Sequence, residues 1–268
     1  MDRAALDAAY NNSAAVADSA MRMAAFRARS DRLRAAHGAH LDLRYGPAER
    51  NRIDYFAADT PGPVLVFVHG GYWQMRAKED FSFLAAGPLA HGFHVALVGY
   101  TLAPDKGLGE IVAEVRSAAA WLRDRVAGFG GDPARIFVSG WSAGAHLATM
   151  TLDAPFIKGG LAISGIYDLE PMRLCYINDK LRLDAYEAAR LSPMHHLPAR
   201  SAPLVVAFGG DELPELRRQS EAFAGVRLRA GLPGRLACVP GQNHFTILDE
   251  LANPDGALTA LVRELAAL

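Results

Sequence analysis

The chain has 268 residues, a length that suits a single α/β domain, and 51% of them are hydrophobic, which is enough for a large core. Its formal net charge is −1 and its pI is about 6.8, so no basic surface favours nucleic acid or an anionic membrane. No apolar run reaches the ~18 residues of a membrane span, and two cysteines cannot make a disulfide framework. We therefore expect a cytoplasmic protein with neither a nucleic-acid nor a membrane partner.

The predicted elements begin with a helical segment over residues 1–40. An antiparallel hairpin follows, formed by LDLRYG and NRIDYFAA around Gly46 and Pro47. Short apolar runs then alternate with helical patterns, which is typical of a largely parallel sheet covered on both faces. The runs span residues 64–70, 94–100, 135–140, 159–165, 203–210 and 235–241, and the helical patterns span 79–90, 108–127, 143–152, 213–230 and 254–267.

Residues 170–200 interrupt this alternation with mixed aromatic, polar and short helical signals. Excursions of this kind often lie over the carboxyl ends of the strands, where open α/β sheets bind ligands. We find no internal repeat and no low-complexity tract. The sequence predicts one domain, residues 1–268, with a small lid made by the N-terminal helices and residues 170–200.

The segment GWSAG, residues 140–144, lies between a predicted strand and a predicted helix. It fits the pattern G-x-S-x-G in the strand–turn–helix context that a nucleophile elbow requires. Side chains beside such a tight turn would collide, so glycine is needed on both sides of the serine. A plain turn is the alternative, but the context favours Ser142 as a nucleophile.

A serine nucleophile needs a base, and the base needs an orienting acid. The base candidate is His244, which follows the last predicted strand in VPGQNHFTIL and keeps the chain order serine, acid, histidine. The acid should follow the strand VVAFGG, which leaves Asp211 or Glu212. Either carboxylate could instead stabilise the N-terminus of the next helix. The competing histidines precede the elbow, lie on its helix or precede the acid: His37, His40, His91, His94, His146, His195 and His196.

The segment HGGYW, residues 69–73, closes the first long predicted strand. Gly70 and Gly71 let backbone N–H groups approach a reacting carbonyl, and with the N–H of Ala143 they form the predicted oxyanion hole. A plain Gly-Gly turn is the alternative, but the neighbouring elbow favours the hole. His69 is expected to pin this loop rather than act as a base.

Aromatic side chains at the same place have two interpretations. Tyr72, Trp73 and Trp141 could form an aromatic wall for an aryl substrate, or the two indoles could pack beneath the loops.

Metal and nucleotide motifs do not occur. The chain has no HExxH motif, no paired cysteines at ligand spacing and no G-x-G-x-x-G after a strand. We therefore expect an enzyme without a metal or another cofactor.

Several motifs together resemble the arylformamidase (kynurenine formamidase) group of α/β-hydrolases. They are HGGYW, GWSAGAHLA, SGIYDLEPM followed by Ser192–Pro193, NHFTIL, and RYGPAERNRIDYF ahead of HGGYW. The resemblance runs from about residue 40 to the C-terminus. It implies an α/β-hydrolase fold and a serine hydrolase that cleaves a small ester or amide, with an N-formyl arylamine as one candidate substrate.

The resemblance also selects an acid. In that group the acid lies in a pattern acid-x-x-Glu-x-x-x-Gln-Ser, which Glu212 fits with Glu215, Gln219 and Ser220, whereas Asp211 is one residue out of register. It implies the roles of nucleophile for Ser142 and base for His244, and it implies that Gly70, Gly71 and Tyr72 lie in the oxyanion-hole segment. Two alternatives stay open: a general carboxylesterase or thioesterase, and a non-catalytic ligand-binding relative. A homodimer is compatible with the sequence but is indicated by no residue.

Overall fold

A single mixed sheet of eight strands organises the molecule, and the computed structural model describes all residues 1–268. The strands are β1 (Leu43–Arg44), β2 (Arg52–Phe56), β3 (Gly62–Val68), β4 (His94–Val98), β5 (Gly131–Trp141), β6 (Ile157–Ile163), β7 (Leu204–Gly209) and β8 (Gly234–Val239). Their order is β1-β2-β4-β3-β5-β6-β7-β8. The pairings of β1 with β2 and of β2 with β4 are antiparallel, and every pairing from β4 to β8 is parallel. The predicted hairpin and mostly parallel sheet are therefore confirmed.

Twelve α-helices accompany the sheet. They are α1 (Arg3–Ala9), α2 (Asn12–Ala15), α3 (Ser19–Ala36), α4 (Ala86–Leu89), α5 (Leu108–Arg125), α6 (Ala143–Thr149), α7 (Glu170–Arg173), α8 (Asn178–Leu181), α9 (Ala185–Leu191), α10 (Pro214–Arg229), α11 (Asp249–Ala252) and α12 (Ala257–Ala266). No helix has the length and apolar character needed to cross a bilayer.

Two hydrophobic cores cover the two faces of the sheet. Alternate residues of β3 divide between them, because successive side chains of a strand point to opposite faces. Val64, Val66 and Val68 belong to one core, which contains residues of α5, α6 and α10. Leu65 and Phe67 belong to the other, which contains residues of α3, α11 and α12. The fully apolar strands thus follow from burial on both faces, as parallel strands require.

The predicted helix over residues 79–90 is not continuous. Two 3-10 turns, Lys78–Asp80 and Ser82–Ala85, precede the single turn of α4. Gly87 packs so closely on α11 that a Cβ there would lie 2.2 Å from the Leu251 carbonyl oxygen. Pro88 follows directly and cannot donate a helical hydrogen bond. Close packing and proline therefore limit this segment to short turns.

The N-terminal helices and residues 170–200 contact each other. Arg3 pairs with Asp179 at 2.7 Å, and the Tyr176 N–H donates to Asp7 Oδ1 at 2.7 Å. The second segment consists of α7, α8 and α9 and follows β6, the neighbour of the elbow strand. Residues 170–200 and α1 thus lie near the carboxyl ends of the central strands, whereas α3 packs in the core that contains residues of α11 and α12.

Candidate active site

Ser142 occupies the turn between β5 and α6. Its φ of 57° and ψ of −120° are unfavourable for a residue with a side chain. Its N–H donates to the Ile163 carbonyl of β6 at 2.8 Å, which anchors the turn to the neighbouring strand. The backbone therefore holds Ser142 in the strained conformation typical of a nucleophile elbow.

The two flanking glycines leave no room for a side chain. A Cβ on Gly140 would lie 2.2 Å from the Gly144 carbonyl oxygen, and a Cβ on Gly144 would lie 2.0 Å from the Val68 oxygen. Both distances are far below van der Waals contact. Glycine is thus required at both positions of G-x-S-x-G, because Gly140 lies against the Gly144 backbone and Gly144 lies against the backbone of β3.

His244 and Glu212 lie together at the ends of β8 and β7. His244 Nδ1 is 3.2 Å from Glu212 Oε2, and both residues are buried. Glu212 Oε1 accepts hydrogen bonds from the Gly209 N–H at 2.6 Å and from Ser164 Oγ at 2.5 Å. These donors compensate the burial of a carboxylate that has few water contacts. Asp211, the rival acid, is exposed and is not brought to His244.

Ser164 is a site residue that the sequence analysis did not single out. It follows β6, is fully buried and has φ +53°, and its N–H donates to the Ala207 carbonyl at 2.7 Å. Its hydroxyl reaches Glu212, 48 positions later in the chain. The available signal was SGIYDLEPM, quoted above only for its family resemblance.

The predicted oxyanion segment lies directly against the elbow. A Cβ on Gly70 would lie 2.7 Å from the Trp141 carbonyl oxygen and 3.1 Å from Ser142 Cβ. Gly71 and Tyr72 both have positive φ, +114° and +52°. None of the turn, loop and cap hydrogen bonds uses the N–H of Gly71, Tyr72 or Ala143 as donor. Three unpaired donors near one serine can stabilise a developing negative charge.

The two indoles, Trp73 and Trp141, pack inside the protein, as the second of the two interpretations expects. Trp73 is fully buried and meets the His146 ring edge-on, with ring centroids 5.2 Å apart. Trp141 is 4% exposed and donates from Nε1 to the His244 carbonyl at 2.8 Å. Trp141 therefore links the elbow to the histidine loop.

Tyr72 is half-buried, and its hydroxyl is occupied by contacts with the N-terminal segment. Its ring meets the Tyr176 ring edge-on at 6.4 Å. Tyr72 is thus the one member of the predicted wall that is not enclosed.

His69 is buried and held by stacking and a hydrogen bond, which suits a structural role. Its ring stacks on Tyr100 with centroids 4.3 Å apart, and Nδ1 lies 2.8 Å from the Gly70 carbonyl oxygen. Burial lowers the pKa of His69 to about 4, so the ring is neutral near pH 7 and donates from Nδ1 to that carbonyl. His69 therefore pins the oxyanion segment from its buried side.

No group of three or more His, Cys, Asp and Glu side chains converges in a way that could hold a metal ion.

Comparison with solved structures agrees with this geometry. The crystal structure of a "putative thioesterase" from Silicibacter sp. tm1040 has a TM-score of 0.86 and 29% identity, covering 96% of this chain and 98% of that one. The family model described as BD-FAE matches residues 55–153, which include the oxyanion segment and the elbow. The fold and the relatives together define an enzyme of the α/β-hydrolase class, a hydrolase of esters or amides.

Two relatives specify the family. Kynurenine formamidase from Danio rerio is 31% identical over 256 residues, covering 90% of this chain and 86% of that protein. Kynurenine formamidase from Salmo salar is 34% identical over 240 residues, covering 83% and 80%. The chain belongs to the kynurenine formamidase family, so the resemblance seen in its motifs is confirmed.

Proposed function

We propose that the chain hydrolyses N-formyl arylamines through an acyl-enzyme, with Ser142 as nucleophile, His244 as base and Glu212 as the orienting acid. The observation that carries the proposal is the contact of His244 Nδ1 with Glu212 Oε2 at 3.2 Å, together with the elbow conformation of Ser142, whose neighbour Trp141 packs on the His244 ring with centroids 4.8 Å apart. The substrate class rests on the kynurenine formamidases, whose similarity extends over most of the chain.

In the first half-reaction Ser142 Oγ attacks the formyl carbon while its proton passes to His244 Nε2, the ring nitrogen that does not face Glu212. The carbonyl oxygen becomes an oxyanion, which the N–H groups of Gly71, Tyr72 and Ala143 stabilise. One such donor is worth about 3 to 4 kcal/mol in the transition state. Collapse of the intermediate breaks the C–N bond, and His244 gives its proton to the arylamine as that leaves.

In the second half-reaction water attacks the formyl ester of Ser142. His244 takes one proton of the water and returns it to Ser142 Oγ as formate leaves. Glu212 accepts the hydrogen bond from the Nδ1–H and so holds the imidazole in its orientation. Because Ser142 and His244 are only 2% and 4% exposed, little water competes for the polar groups of the site.

A second candidate, a carboxylesterase or thioesterase activity, is favoured by the structural similarity to the Silicibacter protein. The two candidates share the acyl-enzyme and differ in the leaving group. A non-catalytic role is less consistent with the buried contact between His244 and Glu212, which a ligand-binding relative does not need.

One experiment tests both candidates. Purified protein is assayed with N-formylkynurenine, p-nitrophenyl acetate, p-nitrophenyl butyrate and acetyl thiocholine, and each assay is repeated with Ser142→Ala. We expect the highest kcat/KM on the formamide and a loss of at least about 10³-fold in the variant. A preference for the thioester would favour the second candidate. Turnover that persists in Ser142→Ala would refute the proposed nucleophile.

A further inference from the structure

The N-terminal segment contacts the oxyanion segment through one hydroxyl group. Asn12 Nδ2 donates to Tyr72 Oη at 2.8 Å, and Tyr72 Oη donates to the Tyr10 carbonyl oxygen. Asn12 is 3% exposed, and Tyr10 is fully buried. These contacts thus lie in the protein interior.

The Tyr10 side chain extends the connection to the helix that follows the proposed acid. Its hydroxyl donates to Glu215 Oε2 at 3.1 Å and accepts from Gln219 Nε2 at 3.0 Å, both on α10. Gln219 Oε1 in turn accepts from the Tyr167 N–H at 2.7 Å. Burial raises the pKa of Tyr10 and of Tyr72, so both hydroxyls keep their protons near pH 7. One residue, Tyr10, therefore joins the loop after β3 to the helix after β7.

Tyr72 needs such support because of its backbone conformation. A φ of +52° is unfavourable for a residue with a large side chain and costs about 1–3 kcal/mol, so it persists only where surrounding contacts fix it. The Tyr72 N–H has no acceptor among the turn, loop and cap hydrogen bonds. The hydroxyl contacts with the N-terminal segment hold the residue together with its ring contacts, and they are the ones that a single substitution can remove.

We propose that Asn12 and Tyr10, here called the N-terminal clasp, are positioning residues that hold the Tyr72 N–H in the oxyanion hole. The inference rests on the proposed function, because it assigns the clasp to the same site. The clasp acts through Tyr72 and touches no reacting atom. Its removal lets Tyr72 relax toward negative φ, which turns the N–H away from the position that the oxyanion occupies.

The test compares Asn12→Ala with Asn11→Ala. Asn11 is the N-cap of α2, and its Oδ1 accepts from the Ala14 N–H at 3.1 Å, so Asn11→Ala weakens this cap but keeps the Asn12 side chain that donates to Tyr72 Oη. We expect kcat to fall about tenfold in Asn12→Ala with KM within about twofold, and both values to stay within about twofold of wild type in Asn11→Ala.

A second readout separates positioning from general loosening. Phenyl trifluoromethyl ketone adds to the nucleophile as a tetrahedral oxyanion, so its Ki should rise in Asn12→Ala by the same factor by which kcat falls. A loss of kcat without a change in Ki would overturn the proposal. Equal effects of Asn12→Ala and Asn11→Ala would overturn it as well.

A second variant, Tyr72→Phe, tests the same contact even if Asn12→Ala does not fold. Tyr72→Phe removes the hydroxyl and leaves the backbone donor in place, so it should reproduce the loss of kcat and the rise in Ki. Adding Asn12→Ala to Tyr72→Phe should then change kcat by less than about twofold, because both remove the same contact. Fully additive losses would show that Asn12 acts independently of Tyr72. Wild-type protein inactive on every ester and amide would refute the proposed function itself, whereas an active wild type with an unaffected Asn12→Ala refutes only the clasp.

Discussion

Glu212 Oε2 lies 3.2 Å from His244 Nδ1, whereas Asp211, the preceding residue, points its side chain to solvent. The difference arises at the end of β7, where the Gly209 N–H captures Glu212 Oε1 at 2.6 Å. A Cβ on Gly209 would lie 2.1 Å from the Gln242 carbonyl oxygen, so this glycine also allows the histidine loop to approach. The turn after β7 thus makes Glu212, rather than Asp211, the carboxylate that contacts His244, and it lets the loop that carries His244 lie beside Glu212.

The two carboxylates should differ in their effect on catalysis. Glu212→Gln keeps the size of the side chain but removes the charge that stabilises the imidazolium, and we expect kcat to fall about 10³- to 10⁴-fold. Asp211→Asn should change kcat by less than about twofold. The measurement is kcat on the best substrate of the panel, with the melting temperature of each variant as control. A larger loss for Asp211→Asn would show that the loop is arranged differently in solution.

A site residue could be predicted from the sequence when the features that define it lie close together in the chain. Ser142 was predicted because the elbow is local: two glycines, a strand and a helix lie within a few residues. His244 was predicted from chain order, and Glu212 from the register of a family pattern. In this structure two residues of that pattern, Glu215 and Gln219, bind Tyr10.

Contacts between distant segments were not predictable in the same way. Ser164 reaches Glu212 only because β6 and β7 are neighbours in the sheet, and a buried serine after a strand has no sequence signature of its own. The role of Trp141 stayed open for the same reason, because its partner is a carbonyl 103 positions away. The alternation of strands and helices could be predicted from the sequence. The short turns over residues 78–89 could not, because they depend on the packing of Gly87 against α11.

Trp141 should stabilise both the fold and the catalytic geometry. Trp141→Phe removes the N–H that the His244 carbonyl accepts, and a buried carbonyl without a partner costs about 1–3 kcal/mol. We expect a loss of at least about 2 kcal/mol in urea denaturation and a fall in kcat of about tenfold as His244 loosens. Trp121→Phe is the matched control, because Trp121 is half-buried on α5 and stacks on Phe129. An equal loss of kcat in both variants would argue against a link between the elbow and His244.

The elbow glycines should tolerate no Cβ. Gly144→Ala places a methyl group 2.0 Å from the Val68 carbonyl oxygen, so β3 and α6 must separate. We expect a loss of about 3 kcal/mol or more and turnover near background. Gly128→Ala is the control, because a Cβ there meets nothing within 4 Å, and it should leave stability within about 0.5 kcal/mol. Wild-type stability in Gly144→Ala would contradict the close packing of the elbow on β3.

Two buried histidines should make the fold sensitive to acid. Burial lowers the pKa of His69 and of His146 to about 4, against 6.5 for the unperturbed side chain. The unfolded chain therefore binds protons between pH 6.5 and 4 that the folded chain does not, and stability falls as the pH falls through this window. Each histidine should contribute a loss of about 2 kcal/mol between pH 7.5 and pH 5.

The contribution of one histidine can be isolated with His146→Gln. His146 Nε2–H donates to the Leu191 carbonyl at 2.8 Å, and an amide side chain offers a donor that does not titrate. The free energy of unfolding is measured in urea by tryptophan fluorescence at pH 7.5, 6 and 5. Between pH 7.5 and pH 5 it should fall by about 2 kcal/mol less in this variant than in the wild type. His196→Gln, at an exposed position, should keep the steepness of the wild type. A wild-type slope in His146→Gln would mean that His146 becomes protonated without unfolding, which requires water or an acceptor at Nδ1, an atom that is buried and has no partner.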